Sequence, residues 1–547
     1  MSGQLKIVIV GGVAAGMSAA TRARRINENA SIIVLERGGH ISFANCGLPY
    51  YLSGQIKAEQ KLLVTTPEKV RERYNIDARV GHEVIGINRT SKTVDVRVIA
   101  TGLSLTIPYD KLILATGAAP IIPAIEHVHA PNVFLFRSIE DTQSVERFLS
   151  VRLPHSVAIV GAGFIGLEMA QAMRERGLDV TLIEKSPHVL PPIDAEMALP
   201  VEAELIRNGV KLITGSGLRA LHAVENAVTE IEIDDGRKMA VDMVLLSIGV
   251  RPNTALAHEA GLIIGATGAI AVDAHQRTSD ADIYAVGDNS EVRHGVTGQP
   301  ARIPLAGPAN RLGRLAGQHA ASGSSPAAGK SLATAIVQVF DLAVGITGLN
   351  EAGARAAGFD VDAAYVYPSH HASYYPGARP LRIKLVYDRR TGKILGAQAI
   401  GQAGVDKRID VIATAIHFGA SVDDLAQLDL AYAPQFASAK DPIHQAAMVA
   451  QNQRREIMPS ISASQLNGQQ IVDVRTPVEF AKGSLPRAVN IPVDDLRARL
   501  LELDPHKPTV TYCHAGQRGY VAQRILQQHG FKNVVNLKGG YSLIIGT

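Results

Sequence analysis

Residues 5–10, LKIVIV, form a short apolar run that breaks into glycines and then into AAGMSAATRARR, whose small residues let a helix lie close to a sheet. Residues 32–35, IIVL, predict the next strand, which ends at Glu36. Strand, glycine turn, small-residue helix and strand in that order begin a βαβ unit. The pattern recurs near residue 157, where VAIVGAGFIGLEMAQAMRERG leads into DVTLIEKS with Glu184 at the strand end. One such unit is unremarkable, but two with the same ordered features point to an enzyme that binds two nucleotides.

The remaining apolar runs extend this picture. YDKLILATGAAP, residues 109–120, predicts a buried strand, a glycine turn at Gly117 and a proline stop. VDMVLLSIGVRPN, 241–253, repeats that arrangement with Gly249, and IYAVGD, 283–288, ends a strand in Gly287 and Asp288. SGSSPAAGKS, 322–331, cannot form much core and marks a boundary. Residues 381–386 and 394–400 predict strands and 407–418 a helix. A further boundary falls across 451–465, and a compact α/β pattern follows, from QIVDVR to VVNL.

Composition narrows the class. At roughly 100–200 residues per domain, 547 residues predict three or four domains. Hydrophobic residues at 46% and charged residues at 19% exclude wholesale disorder and a collagen-like repeat. A net charge of +4 is too small over this length to predict a nucleic-acid or membrane surface. No stretch of 18 apolar residues predicts membrane insertion, and the N-terminal apolar run lacks a basic prelude, so a reducing, cytoplasmic location is expected. Two cysteines, Cys46 and Cys513, are too few for a disulfide framework or a four-thiolate zinc site, and no metal is expected.

In the second unit Gly161, Gly163 and Gly166 complete GxGxxG: a tight turn, room for a pyrophosphate and a close helix–sheet approach. Glu184, 23 residues beyond Gly161, can accept hydrogen bonds from a ribose and would repel a 2′-phosphate, which favours NADH and leaves NADPH as the weaker alternative. The first unit reads GGVAAG, with Gly11, Gly12 and Gly16 present but Val13 at the central glycine position. Glu36, 25 residues beyond Gly11, and the Gly287–Asp288 turn support a second dinucleotide there.

The cysteines differ in setting. Cys46 lies in ISFANCGLPYY, where Gly47 and Pro49 shape a turn that exposes the sulfur. The partner of a CxxxxC pair is absent because residue 51 is Tyr51, so Cys46 cannot close a local disulfide. Three routes remain open: an external thiol or persulfide, a sulfenate, or pairing with Cys513. Cys513 opens the loop CHAGQRG, 513–519, whose amides and Arg518 can surround an anion and favour a thiolate or a terminal sulfane sulfur. Asp473 and Arg475 can pin that loop through an internal ion pair.

At these residues the chain resembles two families. GGVAAG, SFANCGLPYY, LILATGAAP, VGAGFIG and DIYAVGD occur in the order found in pyridine nucleotide–disulfide oxidoreductases, most nearly the single-cysteine coenzyme A-disulfide reductases. DVRTPVEF, 473–480, and CHAGQRG resemble a rhodanese domain. The resemblance implies an α/β chain with two Rossmann-like domains, for FAD (1–120 and 249–325) and NAD(P)H (121–248), an α+β dimerisation domain (326–450) and a C-terminal α/β rhodanese-like domain (460–547). It implies FAD at Gly11, Gly12, Gly16, Glu36 and Asp288, NADH at Gly161, Gly163, Gly166 and Glu184, and further cofactor contacts at Gly117, Gly249 and Gly287. It also implies a homodimer in which Tyr374 and Tyr432 complete the partner's site. Coenzyme A, as bound cofactor or substrate, would meet Arg22, Ser42 and Asn45, with Arg71, Arg73 and Arg311 on its phosphates and Arg518 beside the transferred sulfur.

Two departures stand out: Arg487 occupies a turn where rhodanese relatives usually carry glycine, and NLKGGYSLIIGT leaves little terminal helix. Both would weaken free-standing sulfurtransferase activity. The expected chemistry is NADH-dependent reduction of coenzyme A persulfide, polysulfide or coenzyme A disulfide through Cys46, with Cys513 carrying sulfane sulfur. The alternatives are an NADH peroxidase or oxidase with a Cys46 sulfenate, and a sulfur-trafficking or redox-sensing module centred on Cys513.

Overall fold

A computed structural model describes residues 4–545, so the last two residues of the terminal segment lie outside the described residues. The chain divides into two compact units: residues up to Lys185 with Gly215–Ala333, and Ser186–Thr214 with the chain from Thr334 onward.

The first unit holds two doubly wound sheets. In one, Lys6–Val10 pairs in parallel with Ser31–Leu35 on one side and Lys111–Leu114 on the other. Ile283–Ala285 and Asp77–Arg79 form its edges. Ile7 and Ile9 enter one core with Ala19, Ala23 and Leu312, while Val8 and Val10 enter another with Leu112 and Ile283. This two-sided burial explains the unbroken apolar run. In the other sheet Ser156–Val160 lies between Asp179–Ile183 and Met243–Leu246, again parallel. Helix Ala14–Ile26 packs directly on helix Ala306–Ser322. A Cβ at Gly313 or Gly317 would lie 2.2 Å from the carbonyl oxygen of Ala15 or Ala19, so only glycine lets these backbones meet.

In the second unit five antiparallel strands run in the order Ala335–Val339, Leu342–Gly348, Ile394–Gly401, Leu381–Asp388 and Val361–Val366. The predicted strands at 381–386 and 394–400 thus extend to Asp388 and Gly401, and the predicted helix is Val405–His417. Every residue of the two longest strands is buried, including Lys384. The Lys384 ammonium lies 2.6 Å from Asp194, 3.0 Å from Glu351 and also against Glu196. These carboxylates converge closely enough to hold a metal ion, and the lysine supplies the cation instead. Removing it would leave uncompensated buried charge, a loss of about 3–5 kcal/mol.

The C-terminal part of this unit is a parallel sheet with Thr509–Tyr512 at its centre, between Gln470–Asp473 and Val534–Leu537. Lys538 pairs with Asp362, and Gln453 joins Tyr387 to Ser460, tying this sheet to the antiparallel one. Arg487 has φ +62°, the left-handed conformation in which glycine is unstrained. The chain keeps the turn without the residue that suits it. Among the described residues no helix is long and apolar enough to cross a membrane.

Candidate active site

The two glycine turns of the first unit are built alike. Gly11 and Gly161 have φ +103° and +101°, and a Cβ on either would strike the next strand's carbonyl, of Ala115 or Ser247. Gly12 N–H donates to Glu36 Oε2 at 2.7 Å, and Ala162 N–H donates to Glu184 Oε2 at 2.7 Å. Each carboxylate is therefore held at its strand end, where a ribose would meet it. Around Gly163 nothing lies within 4 Å of an added Cβ, leaving the open approach that a pyrophosphate needs at a helix start. The residues of both turns fit a dinucleotide, and Val13 opens its helix as Gly163 does.

Gly117, Asp288 and a residue not foreseen, Arg137, assemble beside the first turn. Arg137 donates to Asp288 at 2.9 Å, and its guanidinium lies 3.5 Å from a Cβ placed on Gly117. Gly287 stacks on Ala15, the start of the first helix. Gly249 accepts from Ile121 N–H at 2.9 Å and continues into a short strand paired with Ala118–Pro120.

Ser42 hangs the cysteine segment from the first turn, its N–H donating to Gly12 O at 2.8 Å. Asn45–Gly47 is then a single 3₁₀ turn with Cys46 exposed and free. Desolvation on its inner side, and then the carboxylates of Glu168 and Asp288, push the Cys46 thiol above its ordinary range. Glu168 accepts from Tyr50 O–H at 3.1 Å, and its own carboxyl is raised by burial. Glu168 was legible two residues after Gly166, as a lone acid in an otherwise apolar helix start.

The arginines separate into groups. Arg22 donates to Gln318, and desolvation together with Arg314 and Arg25 lowers its guanidinium. Arg311 is exposed on the same helix as Arg314, so Arg22 and Arg311 share a cationic helix pair. Arg71 and Arg73 are exposed on a different helix, Pro67–Tyr74, where Arg71 pairs with Asp77 at 3.4 Å.

In the second unit Cys513 is buried, and Gly516 N–H donates to its sulfur at 3.0 Å. Arg518 is not a free charge, because Glu479 accepts both of its terminal nitrogens at 2.7 Å. That pairing holds the Glu479 carboxyl down at about 2. The bonds to Glu479, and less strongly the Cys513 sulfur, raise the Arg518 guanidinium. Arg475 does pair with Asp473, both buried, and its guanidinium lies over Tyr541, whose N–H donates to Cys513 O. Tyr374 and Tyr432, 58 positions apart in sequence, meet with their hydroxyls 3.0 Å apart, and both are exposed. The bond to Tyr374 pushes the Tyr432 phenol up.

Comparison with known proteins places this arrangement. The chain matches the pyridine nucleotide-disulphide oxidoreductase family over residues 5–309, its dimerisation domain over 334–442 and the rhodanese-like domain over 461–546. The crystal structure of reduced Bacillus anthracis CoADR-RHD is similar with a TM-score of 0.95 at 42% identity, covering 99% of this chain and 98% of that one. An NAD-dependent persulfide reductase from A. fulgidus gives 0.94 at 37% identity, covering 98% and 100%. An NAD(P)H sulfur oxidoreductase (CoA-dependent) of Pyrococcus furiosus is 38% identical over 80% of this chain and 97% of its own length.

Proposed function

The chain belongs to the pyridine nucleotide-disulphide oxidoreductases and ends in a rhodanese-like domain, and from that premise we propose that it uses NADH to reduce coenzyme A persulfide, polysulfide or coenzyme A disulfide through Cys46. The observation that carries this reading is the solitary exposed thiol suspended from the first nucleotide turn. The names of the relatives, a persulfide reductase and a CoA-dependent sulfur oxidoreductase, support it.

FAD and NADH, bound at the two turns, supply two electrons by hydride chemistry. On this reading residues 1–120 with 249–325 hold the flavin, 121–248 the nicotinamide nucleotide, 326–450 form the homodimer contact and 460–547 handle sulfur. The Cys46 thiolate attacks the coenzyme A-bound sulfur of the persulfide, forming Cys46–S–S–coenzyme A and releasing hydrosulfide. Two electrons and one proton then cleave that disulfide to coenzyme A thiol and the Cys46 thiolate. Tyr374 and Tyr432, contributed by the partner subunit's equivalent segment, donate a hydrogen bond and proton to the departing coenzyme A sulfur. Arg22 and Arg311 hold coenzyme A phosphates, with Ser42 and Asn45 beside its thiol end and Arg71 and Arg73 as outlying cations. Cys513 carries sulfane sulfur, with Gly516 N–H and the Arg518–Glu479 pair around the terminal sulfur, and passes it to coenzyme A. Two free cysteines and a nicotinamide donor suit the reducing cytoplasm.

The test is anaerobic NADH oxidation with coenzyme A persulfide, coenzyme A disulfide and peroxide in parallel, with sulfide measured. One sulfide per NADH from the persulfide is expected. Faster turnover with peroxide and no sulfide would replace this reading with a sulfenate-based peroxidase.

A further inference from the structure

The two tyrosines sit on loops that owe little to each other in sequence. Tyr374 lies between strands Val361–Val366 and Leu381–Asp388, and Tyr432 between helices Val422–Leu425 and Pro442–Arg454. Their hydroxyls meet only if both loops are placed to a fraction of an ångström. The loops touch through backbone at Ala372, whose N–H is shared between Pro434 O at 3.3 Å and Ala437 O at 3.1 Å. A long, shared bond is a weak register for so exposed a pair.

Beneath it lies a stronger connection. Arg408, on helix Val405–His417, is 1% exposed, and Asp441 is equally buried. One guanidinium nitrogen, Nη2, donates to His370 O at 2.7 Å, at the root of the Tyr374 loop. The same nitrogen donates to Asp441 Oδ2 at 2.9 Å, at the end of the Tyr432 loop. Asp441 also accepts Ile443 N–H at 3.0 Å, so it fixes where that loop turns into helix. Gly404 makes room for the guanidinium: with φ +72°, a Cβ there would lie 2.4 Å from Arg408 Nη1. A buried charge pair placed under two exposed loops, bonded to the backbone of one and to the cap of the other, has a use beyond packing. A buried ion pair is an inefficient way to gain stability, and in some proteins such pairs are kept because they specify geometry.

We propose that Arg408 and Asp441 are positioning residues for the Tyr374–Tyr432 pair, and so set the rate at which the coenzyme A sulfur departs. This rests on the proposed role of the two tyrosines. A lysine at 408 keeps the charge, but its shorter side chain ends in one nitrogen and cannot also supply the Nε bond to Asp441 Oδ1 and the Nη1 bond to Gly404 O that orient Nη2 between the two loops. Asp441→Asn keeps the helix cap while removing the carboxylate.

The experiment uses the flavin-loaded full-length protein and follows the two half-reactions separately by rapid mixing. Flavin reduction by NADH should stay within about twofold of wild type in Arg408→Lys and Asp441→Asn, whereas reoxidation by coenzyme A persulfide should slow about tenfold. In steady state kcat should fall with KM for the persulfide unchanged. The decisive measurement is a cycle with Tyr374→Phe plus Tyr432→Phe. If Arg408 acts through the tyrosines, Arg408→Lys should slow reoxidation no further in that background. Multiplying losses, or wild-type reoxidation in Arg408→Lys, would overturn the positioning role while leaving the tyrosines catalytic. Full activity of the tyrosine variant would overturn both readings. Asp441→Asn decides the matter if Arg408→Lys loses its flavin, and Arg408→Lys decides it in the converse case.

Discussion

Cys46 and Cys513 solve opposite problems. Cys46 is exposed on a one-turn helix where desolvation, and then the carboxylates of Glu168 and Asp288, push its thiol up, so its reactivity depends on what binds beside it. Cys513 is buried, and its own loop aims an amide at the sulfur, with a guanidinium nearby whose charge is met by Glu479. Among the described residues, one thiol has no local side chain that would activate it. The other is furnished by its own chain, as the sulfur-carrying role proposed for it would require.

Substitutions can break or sharpen this contrast. The largest effect is expected from Cys46→Ser: reduction of every sulfur substrate should fall by about a thousandfold or more, while flavin bleaching by NADH persists. Stopped-flow absorbance with parallel sulfide assays checks both halves. Cys513→Ser should abolish sulfur transfer and long-polysulfide reduction yet retain at least about a third of the rate with pre-formed coenzyme A persulfide, as the proposed assignment of the reductive step to Cys46 requires. Equal loss with all substrates would join the two centres into one.

Glu168→Gln addresses the environment of Cys46 itself. Removing a carboxylate that raises the thiol should bring its titration down, so iodoacetamide should label Cys46 several-fold faster at pH 8, with no change at Cys513. The smallest effect concerns Glu479. Its folded carboxyl titrates at about 2 against an ordinary 4.5, so the stability it contributes is complete above 4.5 and is lost as pH falls from there towards 2. Its partial exposure keeps that contribution modest. Glu479→Gln should flatten acid unfolding of the C-terminal sheet across that window, followed by circular dichroism.

The sequence made the nucleotide halves legible because their signals are local: apolar runs, glycines in positive φ and an acid at the next strand end all lie within a few dozen residues. Cys46 and Cys513 were legible for the same reason, each inside a short turn motif. Arg137, Glu479 and the Arg408–Asp441 pair were not, since each meets its partner across 33 to 151 residues and no periodicity marks a long-range ion pair. Arg518 shows the cost of that blindness: a lone arginine in a sulfur-binding loop reads as free positive charge until Glu479 is seen opposite it. Lys384 is the extreme case, a charged residue in the middle of a buried strand that pattern alone would have called misplaced.

The glycine contact between the two helices flanking the first sheet has an evolutionary consequence. Gly313 and Gly317 touch neither nucleotide turn nor cysteine, yet each is pressed on the backbone of the helix that begins beside Gly11 and Gly12. Between them Arg314 faces solvent. A saturation-mutagenesis map of Ala306–Ser322 should therefore show its deepest intolerance at Gly313 and Gly317, a lesser one at the buried Leu312, Ala316 and Ala320, and tolerance at exposed positions such as Arg314. Selection would act on these sites through helix spacing alone, and their invariance in a lineage would record a constraint on distance where a reader of alignments would look for chemistry.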